Sequence, residues 1–153
     1  MKKLLLILLC LPMIGFGQTE YIQTDSLSSV DSVYQVFDDN GNLSWEKIYR
    51  FGKLNRWETR TYYDNGNLQS SFGRLRTENG STRDGKYVGY YASGRLGSKG
   101  RFKMGDNVRR FLVYYETGEI KRLRVYSKDG SGGKKWITQE CYDKESNLIT
   151  CED

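Results

Sequence analysis

The sequence predicts an all-β protein: tandem β-hairpins forming one elongated, twisted antiparallel meander sheet, after an apolar helical leader that is cleaved. Three observations predict it. A short aromatic-turn-aliphatic motif recurs five times with a period in the twenties, the mark of a repeat architecture. Aromatic residues make up 14% of the chain and glycine contributes 17 residues, with a single proline, which suits strands and tight turns better than a disordered tail. The length of 153 residues fits one ordinary domain and not two.

The leader comes first. Lys2 and Lys3 supply a positive end, Leu4 to Ile14 an apolar run of 11 residues, and Gly15 and Gly17 the small residues of a cleavage site before Gln18. A membrane-spanning helix needs about 20 apolar residues, so residues 1–17 read as a signal peptide, and the mature chain is expected to hold no transmembrane helix. Cys10 follows Leu9 rather than a small residue, so the leader does not read as that of a lipoprotein. The Gly-Phe-Gly-Gln junction resembles leaders of Gram-negative envelope proteins, and the expected location is periplasmic, outer-membrane-associated or secreted. Residues 18–33, rich in Ser, Thr, Gln and Asp, read as a linker or N-terminal cap, and 34–153 as the repeat domain.

Five segments of that domain share one grammar: Phe37-Asp-Asp-Asn-Gly41-Asn-Leu43, Tyr62-Tyr-Asp-Asn-Gly66-Asn-Leu68, Tyr90-Tyr-Ala-Ser-Gly94-Arg-Leu96, Tyr114-Tyr-Glu-Thr-Gly118-Glu-Ile120 and Tyr142-Asp-Lys-Glu-Ser146-Asn-Leu148. Asn-Gly between an aromatic and an aliphatic strand signals a hairpin, because its turn needs positive φ, which glycine supplies and asparagine tolerates. Turns are therefore expected at Gly41, Gly66, Gly94, Gly118 and Ser146. Second turns are expected at Phe51-Gly52-Lys53, Asp84-Gly85-Lys86, Met104-Gly105-Asp106 and over 129–134, with aromatics reopening the strands at Trp57, Tyr87, Phe111 and Trp136. The outcome is roughly ten short strands with local connections and two open edges.

This aromatic-aromatic-x-x-Gly-x-aliphatic pattern, followed by Gly-Lys and another aromatic, resembles the MORN-repeat variant from which proteins of the YwqK antitoxin family are built. The resemblance covers about residues 34–150. It implies a MORN-like sheet, contacts with proteins or lipids, and in the antitoxin family the neutralisation of a toxin; it brings no catalytic motif. Asp38 and Asp143 depart from the pattern at the second aromatic, and Ser146 departs at the glycine.

The chain contains no histidine, which removes the Ser-His-Asp triad, the Cys-His pair and His-ligated zinc or iron from consideration. The Asp-rich turns at 38–42 and 64–67 place glycine too early for a calcium loop, and their flanks read as strands, so turn chemistry explains them. Paired carboxylates need a walled cleft, which an open sheet builds poorly. No enzyme activity, catalytic residue, metal or cofactor is expected. Cys141 and Cys151 flank the last hairpin in an exported chain, which favours a disulfide over two buried free thiols.

Two groups of residues are candidates for a binding face. Adjacent strand residues point to opposite faces. The first ring and the aliphatic residue are therefore expected on the packed face, and Tyr63, Tyr91 and Tyr115 in a ladder on the other. The ladder reads either as cross-strand packing or as rigid recognition area. Charge is segregated along the chain: residues 18–46 hold six acids and no Lys or Arg, whereas 47–135 hold 21 basic and 8 acidic residues. Within the basic block, Arg101, Lys103, Arg109, Arg110, Lys121, Arg122 and Arg124 read either as a solvated face or as the site of an acidic partner. The expected function is a non-catalytic exported repeat protein that binds a protein or an anionic envelope component through one sheet face. The alternative is an antitoxin or immunity protein that neutralises a toxin by direct binding. Nucleic acid is disfavoured because an exported protein seldom meets it.

Overall fold

The computed structural model describes residues 19–22, 30–50, 55–128, 130–131 and 135–152. The leader with its Gly17–Gln18 junction, and the turn expected at Phe51-Gly52-Lys53, lie outside them. The described residues are all-β. Their strands are β1 (Thr19–Ile22), β2 (Val30–Phe37), β3 (Leu43–Arg50), β4 (Arg56–Tyr62), β5 (Leu68–Thr77) and β6 (Gly80–Tyr90). They continue as β7 (Leu96–Lys103), β8 (Asp106–Asn107), β9 (Arg110–Tyr114), β10 (Ile120–Val125), β11 (Thr138–Tyr142) and β12 (Leu148–Ile149). All lie in one open antiparallel sheet whose order follows the chain, except that β8 pairs with β7 off the main path. The segment expected to be a linker or N-terminal cap contains β1 and the start of β2, where Thr19, Tyr21 and Ile22 are residues that favour a ladder.

The five expected turn positions share one backbone geometry. At each, the amide four residues before the loop's end and the carbonyl of that end close the loop, as in Tyr63 N–H to Asn67 O at 2.9 Å and Tyr91 N–H to Arg95 O at 2.8 Å. A second bond spans three residues, from Gly66 N–H to Tyr63 O and from Gly94 N–H to Tyr91 O. Gly41, Gly66, Gly94, Gly118 and Ser146 carry positive φ, from 65° at Ser146 to 114° at Gly118. Asn40 and Asn65 do not. The loop is thus a three-residue turn ending in a left-handed residue and a bulge, rather than the two-residue turn that Asn-Gly suggests. In this form only one residue needs left-handed backbone.

The opposite ends of the strands differ more from expectation. Asp84-Gly85-Lys86 is not a turn but lies inside β6, where the pairing slips between Phe72↔Tyr87 and Arg74↔Arg83. The turn between β5 and β6 is made by Glu78 and Asn79, with Gly80 at φ 123°. A Cβ on Gly73 would stand 2.3 Å from the Asp84 carbonyl oxygen, so glycine is what lets the bulge press against β5. Asp84 then ties the bulge down, pairing with Arg56 and accepting the Met104 amide at 3.2 Å. Met104-Gly105 does form a tight turn, with both residues at positive φ (51° and 94°), between Lys103 and its partner Asp106. A second bulge follows at Val108-Arg109, where the chain leaves β8 and returns to β7 as β9. Trp136 precedes β11 instead of opening it.

Register assigns the faces. Trp57, Phe72, Tyr87, Phe102, Phe111, Arg124 and Cys141 share one face; Glu46, Ile48, Arg60, Val88, Lys99, Arg101, Leu112 and Val125 share the other. Among the described residues the buried apolar ones are Ile48, Trp57, Phe102, Val108, Tyr126 and Cys141, of which register places Trp57, Phe102 and Cys141 on the first face. The first-column tyrosines Tyr62, Tyr90 and Tyr114 are only half-buried. Burial therefore concentrates on the opposite face from the one expected, because rings there pack on each other and on glycine. Tyr87 stacks on Phe111 with centroids 5.5 Å apart, and Phe102 meets both edge-on. A Cβ on Gly100 would fall 2.2 Å from the Phe111 ring. At the C-terminal edge, Cys141 and Cys151 lie within disulfide distance with Cα atoms 5.3 Å apart. Their relation is diagonal, since Cys141 is paired in register with Ile149.

Candidate functional site

The tyrosine ladder has internal partners. Tyr63 donates its hydroxyl to the Tyr90 carbonyl (2.8 Å), Tyr91 to the Tyr114 carbonyl (2.6 Å) and Tyr115 to the Tyr142 carbonyl (2.9 Å). Each ring therefore reaches from one hairpin turn to the first aromatic of the next. All three are half-buried. The turns are joined by a second line of bonds: Asn65 and Asn67 both donate to the Ala92 carbonyl, and Arg95 donates to that of Glu116. Where aspartate replaces the second aromatic, it closes its own turn. Asp38 accepts from the amides of Asn40 and Asn42, and Asp143 from that of Asn147. The Asn42 amide holds the Asp38 carboxyl below the usual carboxylate range, and the Asn147 side chain does the same for Asp143.

The basic block divides. Arg101, Arg109 and Arg110 line a groove of about 790 Å³ together with Lys86, Lys99 and Lys128. Its other side chains include Val88, Leu112 and Val125, and no Asp or Glu lines it among the described residues. Lys99 holds its ammonium 5.4 Å from the centre of the Tyr114 ring. Arg101, Arg109, Arg110, Lys86, Lys99 and Lys128 are all exposed. The remaining candidates lie elsewhere. Lys121 sits over the Tyr115 ring at 5.5 Å, and Arg122 donates to the Glu152 carbonyl. Arg124 covers Trp136 at 4.5 Å and bonds Gln139 on the opposite face. Lys103 is exposed at the end of β7 and does not line the groove.

Further along the groove's face, towards β2, the charge changes sign. Glu46 is buried, 6% exposed, and accepts from Tyr62 (2.6 Å), Gln35 (3.1 Å) and Arg60 (3.4 Å). Glu58 accepts from Arg60 and Ser71. Burial and the neighbouring Glu46 carboxylate push the Tyr62 hydroxyl up to about 12. These carboxylates are engaged by donors within the sheet, and the group holds the strands together rather than opening to solvent. Among the described residues no cluster of three metal-capable side chains occurs.

Lys86, Lys99 and Lys128 and the apolar floor were not legible as site residues from spacing in sequence. Period-two alternation carried the signal. Lys86 and Val88, Lys99 and Arg101, and Arg110 and Leu112 are each two apart, so each pair shares a face once the strands are placed side by side. Chemically, the groove presents cations around an apolar floor. That suits reversible binding of an acidic surface with apolar elements. No protein-family model matches the chain, and no curated protein matches it.

Proposed function

We propose that this chain is a non-catalytic, exported protein of about five tandem hairpin repeats of the MORN-variant kind. On this reading it binds an acidic macromolecular partner, a protein or an anionic envelope component, through the groove on one face of its sheet. The observation that carries the proposal is the convergence of Lys86, Lys99, Arg101, Arg109, Arg110 and Lys128 on one groove that no carboxylate of the described residues lines. Cations brought together repel each other, and a solvated surface normally intersperses both signs. Their convergence is relieved by a partner that brings negative charge. The shared bonding of the five turns supports the repeat reading, and the ladder hydroxyls support a packing role for the tyrosines.

The test uses tagged mature chain immobilised over an envelope extract, beside the variant Lys86→Glu/Arg101→Glu/Arg110→Glu. The wild type should retain an acidic component that is released at about 0.5 M salt, where screening is short-ranged. The variant should fold with an unchanged circular dichroism spectrum and retain none of it. Equal capture by both proteins would sink the groove as the site. If the retained component is a toxin acting outside the cytoplasm, the neutralising reading is the correct form of the proposal.

A further inference from the structure

The face opposite the cationic groove holds a second concavity of about 520 Å³, walled by Arg83, Phe102, Asn107, Phe111, Arg124 and Trp136. We propose that it is a binding site for an acidic saccharide, a chain of uronic-acid type that carries carboxylates. Two features of the wall each ask for one feature of that ligand.

The first is a pair of guanidinium groups without carboxylate partners among the described residues. Arg83 lies against two rings, 5.1 Å from the centre of Phe72 and 5.2 Å from that of Phe102. Stacking occupies the face of a guanidinium and leaves its N–H edge free to hold a carboxylate by two parallel bonds. Arg124 uses Nε on Gln139 and its face on Trp136, which leaves its terminal nitrogens to donate. The second feature is Trp136, 37% exposed. Its ring offers a flat apolar surface with a polar edge, which suits the C–H face of a sugar ring.

A carboxylate and an apolar ring face occur together in a uronic-acid residue. A phosphate or a plain fatty acid satisfies the arginines and leaves Trp136 unused. This site does not depend on the cationic groove, since Arg83, Phe102 and Arg124 point to the other face from Lys86 and Arg101.

Calorimetric titration of the mature chain with tetragalacturonate, against maltotetraose as the neutral control, tests the proposal. The acidic tetramer should bind at least about tenfold more tightly than the neutral one. Arg83→Gln and Trp136→Ala should each weaken it by about tenfold, as loss of an anchor residue does. Lys86→Glu/Arg101→Glu should leave it within about twofold, because the charges it changes lie on the far face. Arg83 is exposed, so its variant keeps the test readable should Trp136→Ala fail to fold. The proposal is overturned by no binding of tetragalacturonate or by equal binding of the neutral tetramer. It is also overturned if affinity falls in Lys86→Glu/Arg101→Glu and not in Arg83→Gln, which would place the saccharide in the cationic groove.

Discussion

Tyr63, Tyr91 and Tyr115 illustrate how one hydroxyl changes the meaning of a residue. Each ring could serve recognition by its exposure, yet each hydroxyl is bound to a carbonyl of the following hairpin. Tyr91→Phe keeps the ring and removes that bond, and should lower unfolding free energy by about 0.5–1.5 kcal/mol in denaturant titration. Phenylalanine at all three positions should leave partner capture unchanged while stability falls. Tyr62 gives a spectroscopic handle on the neighbouring network. Its hydroxyl is pushed up to about 12 by burial and the Glu46 carboxylate. Since the folded value lies above the unfolded one, the neutral form stabilises the fold below pH about 10, and this is lost as pH rises through the folded value. Phenolate absorbance should show Tyr62 ionising above the ordinary tyrosine range, with Tyr142, raised by its bond to Glu140, shifted in the same direction. Asp38 and Asp143 work in the opposite sense. Their depressed values stabilise the fold above the usual carboxylate range, and that contribution is lost as pH falls through the folded value. Asp38→Ala should lower Tm at neutral pH, and its gap from wild type should close in acid.

At the scale of the element, most strands from β2 onward were legible, whereas β1 and the form of the loops were not. Aromatic and aliphatic alternation placed the strands, and Gly41, Gly66, Gly94 and Gly118 marked their loops. What spacing could not show is which of two glycines turns the chain. Gly85 sits in a bulge, whereas Gly80 completes the turn, because Gly73 lets the Asp84 carbonyl approach β5. That is a contact between strands, invisible in either strand alone. Val108 was missed for the same reason: its burial, at 2% exposure, comes from a bulge where β9 rejoins β7. Gly100→Ala tests this kind of contact. Its Cβ would meet the Phe111 ring at 2.2 Å, and overpacking should cost about 1–3 kcal/mol in chemical denaturation.

On the scale of the whole molecule, the sheet has open edges at β1 and β12, and the last pair is only two residues long on each side. The Cys141–Cys151 link, with a sequence separation of 10, closes that end. Reduction should destabilise by about 2–3 kcal/mol in the chain-entropy model, and hydrogen exchange should rise in β11 and β12 first. The charge blocks were readable along the chain, but their division between two faces required the register. Arg101 and Arg124 lie in one basic run of sequence and on opposite sides of the sheet. On the proposed reading, the groove lined by Lys86, Arg101 and Arg110 recruits an acidic partner by charge. The most direct measurement is the association rate of the recovered partner with wild type and with Lys86→Glu/Arg101→Glu/Arg110→Glu across ionic strength. The wild-type rate should fall steeply with added salt, and the variant should bind more than about tenfold more slowly with a flat profile. Equal rates with the same salt dependence in both proteins would contradict the claim.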